Sequence, residues 1–327
     1  MKYDFITIGG TTEDVTMYTN EAVMIDNKRN ILAQKLMAFE YGAKIKIDKA
    51  YSTFGGGASN AAVCLARLGF KVAAMVAIGG DNRGKDVIDN FRGHKVVTSL
   101  MQKKAGEQTG VTFFVVGKDK EHVGFSNRAA NKLLSIGPKE LKALNSARWV
   151  YMTSLSGTWK KTLNQVFKTK AKVAWNPGHI QLHAGFKAIG KYLAKTSMLT
   201  INKDEAIELV ITNPKYRNKD NRFLNNIKNL LQAIYEYGPK IVVITDGPNG
   251  ANAFDGETFY HQAIMKEKRR QDTTGVGDAF GSTFTAGLLL YDGDIQKAMR
   301  LSVKNTASVI AKQGAQNGLI TKKEILK

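Results

Sequence analysis

The sequence predicts an α/β protein in which a central, mostly parallel sheet lies between two layers of helices. Short strand-like apolar runs alternate with helix-like runs along the chain, a pattern that favours parallel strands joined by crossover helices on both faces. Glycine-rich segments open two of these helices. The chain has 327 residues, of which 43% are hydrophobic and 23% are charged, so it can bury a sizeable core.

The individual elements follow from the apolar runs and from the residues that end them. Gly69, for example, follows a helix-like run and is a typical helix stop. The runs predict strands over Phe5–Ile8, Val72–Ile78, Trp149–Met152, Lys172–Trp175, Met198–Ile201 and Ile241–Thr245. They predict helices over Ser59–Leu68, Gly84–Phe91, Glu205–Ile211, Leu224–Tyr237, Asp278–Leu290 and Ile295–Ile310.

Two stretches depart from this alternation. Ala43–Phe54 alternates apolar with polar residues, and Thr109–Val116 and His122–Ser126 flank the turn-like Gly117-Lys118-Asp119-Lys120. We interpret both stretches as a small antiparallel sheet that protrudes from the main layer. Ligands of open α/β sheets lie at the carboxyl ends of the strands, beside such insertions. We therefore expect one domain over residues 1–327, with lid insertions near 14–54 and 109–128.

Charge and composition exclude several classes of protein. The net charge is +20, but more than half of the surplus lies in residues 121–200 as scattered lysines, which is typical of solvated helix faces. This distribution disfavours nucleic acid as a partner, although a basic field attracts small anionic substrates. The chain has one cysteine, Cys64, and shows neither a signal-peptide core nor a membrane-spanning apolar run. We expect a cytoplasmic protein without a disulfide.

The sharpest motif is Asp272-Thr273-Thr274-Gly275-Val276-Gly277-Asp278-Ala279-Phe280. Helix N-termini carry unpaired N–H groups and a partial positive charge, and Gly275 and Gly277 let that backbone approach an anion. Asp278 at the same point suits a carboxylate that takes a proton from a hydroxyl while the N–H groups hold a phosphoryl group. The alternative is an ordinary glycine loop with a helix-capping aspartate.

A second glycine-rich segment, Phe54-Gly55-Gly56-Gly57-Ala58-Ser59-Asn60, opens another predicted helix. Its glycines permit close approach of a ligand, and Asn60 offers both a donor and an acceptor to a sugar hydroxyl. A simple loop with Ser59 or Asn60 as the helix N-cap explains the segment equally well.

Together these motifs resemble the ribokinase-like family of carbohydrate kinases, of the phosphofructokinase B type. Asp272–Phe280 is similar to the family's C-terminal signature, and Gly55–Gly69 to its N-terminal one. The resemblance covers essentially the whole chain. Three further segments match in the family's order, namely Gly9-Gly10-Thr11-Thr12-Glu13-Asp14, Asn202-Lys203-Asp204-Glu205 and Thr245-Asp246-Gly247-Pro248-Asn249-Gly250. The resemblance implies a three-layer α/β/α ribokinase-like fold with a small β-sheet lid.

The resemblance also implies a mechanism. Asp278 would be the general base that activates a sugar hydroxyl toward the γ-phosphoryl group of ATP, and the N–H groups of the Gly275-Val276-Gly277 turn and Asp278 would form the anion hole. The implied acceptor site consists of Asp14, Gly56, Gly57, Asn60 and Arg128.

The nucleotide and metal sites are implied in the same way. ATP would be bound by Asn202, Thr245, Gly247, Gly250 and Asn305. Glu205 would hold Mg²⁺ through water, a mode of binding that suits this ion. Asp272 and Thr274 match positions that bind a monovalent cation, K⁺ for instance, in some members of the family.

Several points remain open in the sequence. The family commonly has alanine at the position of Val276, and a nucleoside kinase of the same fold or a non-catalytic sugar or nucleotide sensor are alternatives to a sugar kinase. Relatives often dimerise through the lid, where Ile45, Ile47, Val111 and Phe113 would form an apolar face.

Two motif-like patterns are disfavoured. The segment Gly79–Asp86 resembles a P-loop motif, but Asp86 stands where that motif has the serine or threonine that binds magnesium. His179 and His183 have the i, i+4 spacing of zinc ligands, but Ile180 stands where a catalytic glutamate would be, and no acidic ligand follows nearby in the sequence.

Overall fold

The structure, a computed structural model, describes residues 2–27, 35–118, 122–267 and 269–325. Its strands are short and are separated by helices or by tight turns. In chain order they are β1 Tyr3–Ile8, β2 Thr12–Tyr18, β3 Val23–Asp26, β4 Lys35–Ala38, β5 Lys49–Gly55, β6 Val72–Met75, β7 Ala77–Ile78, β8 Gln102–Lys103, β9 Gly110–Val116, β10 His122–Asn127, β11 Ala147–Met152, β12 Lys172–Trp175, β13 Met198–Asn202, β14 Val242–Thr245, β15 Ala251–Phe254 and β16 Phe259–Gln262.

The helices begin mostly where a capping side chain or a glycine follows a strand. They are α1 Gly57–Arg67, α2 Asn82–Gly93, α3 Pro138–Leu144, α4 Trp159–Val166, α5 His179–His183, α6 Gly185–Leu193, α7 Lys203–Ile211, α8 Asn221–Asn225, α9 Ile227–Tyr235, α10 Val276–Leu290, α11 Ile295–Ile310 and α12 Lys322–Ile325. Short 3₁₀ turns occupy Ala129–Leu133 and Gly247–Asn249.

Within the described residues, eight strands form the main sheet in the order β16-β15-β14-β13-β12-β11-β1-β6. The six strands from β14 to β6 are parallel, and β15 and β16 add an antiparallel edge. The prediction of a mostly parallel central sheet is confirmed. The β15–β16 edge was not predicted from the sequence.

Alternate residues of the central strands pack into two separate cores, one on each face of the sheet. Phe5 and Tyr151 belong to the core covered by α1, α2, α10 and α11. Ile6 and Val150 belong to the core covered by helices from the segment α3–α9. This alternation is the period-two pattern of a sheet that is buried on both faces, so the fold has the three α/β/α layers that the sequence predicts.

A second sheet, formed by four of the described strands, has the order β10-β9-β2-β5; we call it the small sheet. The β9–β10 and β2–β5 pairs are antiparallel, but β2 and β9 are parallel. The prediction of a purely antiparallel sheet is therefore wrong. Thr12 pairs with Gly110 in the register, so both strands enter the small sheet at the same end, which forces them to run in the same direction.

Other differences from the predicted elements have local causes. The strand predicted within Ala43–Phe54 begins only at Lys49. The predicted strand Val72–Ile78 is divided into β6 and β7, and β7 pairs with β8. The helix predicted over Leu224–Tyr237 is interrupted at Asn226, whose backbone is extended and whose side chain caps α9 by accepting the N–H of Lys228.

The predicted hairpin is present as β9 and β10, whereas Asp119 and Lys120 of its turn lie outside the described residues. The apolar face predicted for dimerisation needs a correction. Val111 is buried, with 6% of its surface exposed, because it packs inside the protein. It cannot form part of an exposed face.

Candidate active site

The glycine-rich turn before α10 positions Asp278. Gly275 caps the helix in the left-handed conformation, with φ 73° and ψ 7°, which glycine adopts at no steric cost. Asp278 follows in the first turn of the helix, where N–H groups have no partner within the helix. The N–H of Val276 donates weakly to the Thr273 carbonyl at 3.4 Å, so those of Gly277 and Asp278 are the better anion donors.

Gly277 faces open space, because a β-carbon built on it would meet no atom within 4 Å. A β-carbon on Gly57, in contrast, would lie 3.0 Å from Oδ1 of Asp278. The two glycine-rich segments of the sequence therefore meet at the Asp278 carboxylate, with free volume on the Gly277 side.

The Asp278 carboxylate is oriented by α1. The side-chain amide of Asn60 donates to Oδ2 of Asp278 at 2.9 Å. Burial raises the pKa of Asp278 above its ordinary value of 3.8, and the Asn60 hydrogen bond offsets part of that increase. A carboxylate with a raised pKa is a better proton acceptor than a free aspartate.

Asn60 is itself held by Gln316, which sequence reasoning missed. The Gln316 amide donates to Oδ1 of Asn60 at 3.0 Å and to Oγ of Ser59 at 3.2 Å. This contact fixes the Asn60 amide with its NH₂ group toward Asp278. No motif includes Gln316, and it lies 256 residues from Asn60 along the chain.

Asp14 lies on β2, close to the same place. It is 6% exposed and accepts a hydrogen bond from the Thr12 hydroxyl at 2.7 Å. The pKa of Asp14 is raised to about 6, mainly by burial and also by the negative charge of Asp278, while hydrogen bonds with Thr12 and Thr112 and the charge of Arg128 offset part of that increase. Asp14 is therefore close enough to both Asp278 and the exposed Arg128 to feel their charges.

The glycines before α1 permit this arrangement. A β-carbon on Gly55 would collide with the Asp14 carboxylate, and one on Gly56, where φ is 87°, would collide with the Gly10 carbonyl. Glycine at both positions therefore lets the start of α1 pack directly against the β1–β2 connection. Of the predicted acceptor residues, the structure brings Asp14, Gly57 and Asn60 together around Asp278.

A cavity of about 210 Å³ adjoins Asp278 on the main-sheet side. It lies at the carboxyl ends of β12, β13 and β14, which is where open α/β sheets bind ligands. Its lining consists of Asn176, Thr200, Ile201, Asn202, Glu205, Thr245, Thr273, Gly275, Val276, Gly277 and Asp278.

Asn202 and Glu205 form a reciprocal capping box at the start of α7. The Asn202 side chain accepts the Glu205 N–H at 2.8 Å, and Glu205 Oε2 accepts the Asn202 N–H at 2.9 Å. The box fixes both side chains at the cavity wall. Burial raises the pKa of Glu205, and the neighbouring charges of Glu208 and Asp204 add to that effect.

The predicted nucleotide residues are only partly brought together. Thr245 lines the cavity, while Gly247 and Gly250 lie in the turn that follows β14. Asn305 is fully buried in α11 and donates to the Thr283 hydroxyl at 2.7 Å and to the Cys64 sulfur at 3.3 Å. Its other amide atom accepts the Ile320 N–H at 2.9 Å. The expectation that Asn305 binds ATP does not fit this position, because its side chain is committed to the core.

The predicted cation residues hold the loop that precedes α10. The two oxygens of the Asp272 carboxylate accept the N–H groups of Thr274 and Gly314, each at 2.8 Å. A carboxylate fixed in this way fixes the start of the Thr273–Gly275 segment.

Known proteins resemble this chain along most of its length. A ribokinase of Haemophilus influenzae is 28% identical over 284 residues, which are 84% of this chain and 86% of the relative. The structure of Arabidopsis thaliana ribokinase complexed with ribose and ATP matches with a TM-score of 0.82 at 18% identity, over 100% of this chain and 98% of the other. The Burkholderia thailandensis nucleoside kinase in complex with inosine matches with a TM-score of 0.78 at 15% identity, over 98% and 96%. These two likenesses show the fold.

The model of the pfkB family carbohydrate kinases matches residues 21–322. The chain therefore belongs to the pfkB family, and it is a carbohydrate kinase with the ribokinase-like fold. Among the described helices, none is both long enough and apolar enough to cross a membrane.

Proposed function

We propose that this kinase transfers the γ-phosphoryl group of ATP to a hydroxyl, in particular the hydroxymethyl group, of a sugar, with Asp278 as the general base. One observation carries the proposal. The Asp278 carboxylate lines the 210 Å³ cavity and at the same time accepts the Asn60 hydrogen bond on its other side. We therefore assign the cavity to the nucleotide and the side of Asn60 to the acceptor.

The acceptor side is polar and partly charged. Asp14 and Asn60 supply a carboxylate and an amide, which pair with sugar hydroxyls, and Arg128 lies close enough to lower the pKa of Asp14. These side chains orient one hydroxyl toward the free volume beside Gly277. We further propose that the small sheet covers this pocket as a lid.

The chemical step is an in-line displacement. The acceptor oxygen bonds to the γ-phosphorus, the bond from that phosphorus to the bridging oxygen breaks, and ADP leaves with the bond electrons. The acceptor proton passes to the Asp278 carboxylate. The N–H groups at the start of α10 stabilise the charge on the transferred phosphoryl group.

The residues around the cavity fit a hydrated magnesium ion. The Asn202 amide and the Glu205 carboxylate offer oxygen donors at its wall, and Mg²⁺ prefers oxygen ligands and retains several waters. Bound there, Mg²⁺ would neutralise phosphate charge. Asp272 and Thr274 are our candidates for a monovalent cation such as K⁺, since Asp272 places negative charge beside the anion hole.

A nucleoside kinase is the second candidate, because the chain matches the inosine-bound nucleoside kinase over nearly its full length. A nucleoside offers the same kind of hydroxymethyl group. A sensor without catalysis is the third, and the presence of Asp278, Gly275, Gly277 and Glu205 in one site disfavours it.

The test is release of ADP from ATP and Mg²⁺ against a panel of pentoses, hexoses, keto-deoxy acids and nucleosides. Asp278→Asn should lower turnover by at least about 100-fold and leave ATP binding largely intact. Asp89→Asn, the same change at an exposed carboxylate of α2, is the matched control and should have no effect.

Turnover with one acceptor, lost in Asp278→Asn, supports the proposal and identifies the substrate class. An Asp278→Asn variant that keeps most of its rate contradicts the general-base role. If ATP binds but no acceptor reacts, phosphorylated acceptors are tested next. Absence of ADP release with those as well favours the sensor.

A further inference from the structure

Two histidines and a glutamate converge on the surface beside the nucleotide side of the fold. His179 and His183 lie one turn apart on α5, and Glu208 lies on α7. The imidazoles are 79% and 78% exposed, and the Glu208 side chain is 29% exposed. Since β12 and β13 are neighbours in the main sheet, the helices that follow them, α5 and α7, pack side by side. Glu208 lies 25 residues after His183 along the chain, so the sequence near the two histidines contains no third ligand.

The distances fit a common metal ligand sphere. Nδ1 of His179 lies 3.7 Å from Oε2 of Glu208, and Nδ1 of His183 lies 3.3 Å from Oε1. One ligand atom from each residue lies within 4.8 Å of the others. Tetrahedral zinc with bonds of about 2.0–2.1 Å places neighbouring ligand atoms about 3.3–3.4 Å apart. Small side-chain rotations therefore suffice to bring all three onto one ion.

The cluster joins one carboxylate to two imidazoles rather than forming a single pair. Glu208 lies within 3.7 Å of a ring nitrogen of each histidine, and imidazole nitrogen is a common metal ligand. The two imidazoles, tilted by 35° with ring centroids 5.4 Å apart, and the carboxylate form a donor set of the His₂Glu type. Among the described residues, this is the group of three histidine, cysteine or acidic side chains whose ligand atoms all lie within 4.8 Å of one another.

We propose that His179, His183 and Glu208 bind a divalent transition metal ion of the Zn²⁺ type, with water in the remaining position. Imidazole nitrogen favours zinc, copper and nickel over magnesium, so this site is distinct in chemistry from the one at Asn202 and Glu205. The ion would connect α5 to α7, the helix whose first turn forms the cavity wall. The site is open and exposed, and it needs no substrate to form.

The test uses full-length protein without a histidine tag, freed of metal by a chelator. Zn²⁺ is titrated in competition with a chromogenic chelator, and melting is followed with and without Zn²⁺. We expect one saturable ion per chain at pH 7.5, a higher Tm with Zn²⁺, weaker binding at pH 5.5 because protons compete with the metal ion for its ligand atoms, and no competition by Mg²⁺.

His183→Ala and Glu208→Gln should each weaken Zn²⁺ binding by at least about 10-fold, since even indirect partners of a metal cost about 10–100-fold. His261→Ala is the matched control, because this histidine is also exposed but pairs with Asn252 on the β15–β16 edge, and its binding should match that of the unchanged protein.

Absence of saturable binding at micromolar Zn²⁺ overturns the proposal. Binding that is unchanged in both ligand variants overturns it as well, because the ion is then held elsewhere. Glu208→Gln preserves the size of the side chain, so it serves if His183→Ala fails to fold. None of these measurements depends on kinase turnover.

Discussion

The Asn60 amide donates a hydrogen bond of 2.9 Å to Oδ2 of Asp278, across 218 residues of sequence. This contact joins the first turn of α1 to the first turn of α10. Gln316 completes the chain of contacts by fixing the Asn60 amide from behind. The proposed base is thus held in place by side chains from two other segments, α1 and the loop that contains Gln316.

Asn60→Leu should shift the acid limb of the pH–rate profile to higher pH. The Asn60 hydrogen bond lowers the pKa of Asp278, so its loss raises that pKa and protonates the base at higher pH. A hydrogen bond to a charged group contributes about 1.5–3 kcal/mol, so we expect the acid limb to move to higher pH by about 1–2 pH units. The measurement is kcat/KM from pH 5 to 9.

A purely structural role for Asn60 would lower the rate equally at all pH values. An Asn60→Leu profile with the same midpoint as that of the unchanged enzyme would therefore contradict the prediction. Recovery of part of the activity at pH 9 would support it.

Gly277→Ala should impair use of the nucleotide without lowering stability. A methyl group at this position meets no protein atom within 4 Å, so Tm should stay the same or rise slightly. The same methyl group enters the volume assigned to the phosphoryl group, so kcat/KM for ATP should fall by at least about 10-fold. The measurements are ATP kinetics and thermal melting.

Gly93→Ala is the control, since a β-carbon there also meets nothing within 4 Å and the residue ends α2, away from the site. It should leave kinetics and Tm unchanged. Normal ATP kinetics in Gly277→Ala would exclude this volume as the phosphoryl site.

Asp14→Asn should stabilise the protein at high pH while weakening acceptor binding. The folded state raises the Asp14 pKa from 3.8 to about 6, so folding favours the protonated carboxyl. Its stabilising contribution is complete below pH 3.8 and is lost as the pH rises through 6. At pH 8 the ionised carboxylate thus lowers stability by up to about 3 kcal/mol, a penalty that a neutral asparagine avoids.

We expect a higher Tm for Asp14→Asn at pH 8 and a smaller difference at pH 5, measured by scanning calorimetry. The KM for the acceptor should rise at the same time. Asp89→Asn is again the control and should change neither quantity. An equal Tm difference at both pH values would exclude titration of Asp14 as its cause.

Phe125→Asp should reduce self-association if the small sheet is a dimer interface. Phe125 is 59% exposed on β10, near Val123 at 39% and Phe113 at 36%, and Ile47 is 38% exposed. An added charge in such an apolar patch disfavours burial against a second copy. Light scattering at micromolar concentration should show a dimer for the unchanged protein and a monomer for Phe125→Asp. A monomer in both would contradict the prediction.

The sequence predicted the central sheet and indicated much of the candidate site because both are encoded in short segments of the chain. Each parallel strand is a short apolar run, and Gly275, Gly277 and Asp278 are contiguous. Parallel topology then brings the ends of β12, β13 and β14 to one edge, so residues such as Asn202 and Thr245 share a cavity without any long-range information.

The features that the sequence did not predict depend on contacts between residues far apart in the chain. The parallel pairing of β2 with β9 follows from how two distant segments enter the small sheet. Gln316 acts on Asn60 from a loop without a motif, and Glu208 reaches the two histidines only because α5 and α7 are adjacent. Asn305 was misplaced for a related reason, since its polarity is used inside the core.

Cys64 is buried, and its sulfur contacts Thr283 and Asn305 at 3.3 Å. The protein is therefore suited to site-specific labelling at introduced cysteines. Thiol reagents react with the exposed thiolate, and the single native thiol offers none. Cysteines introduced at the exposed positions Ser126 and Lys187 would therefore be labelled alone. A pair of fluorophores there would report directly whether the small sheet moves toward the main body when a sugar binds.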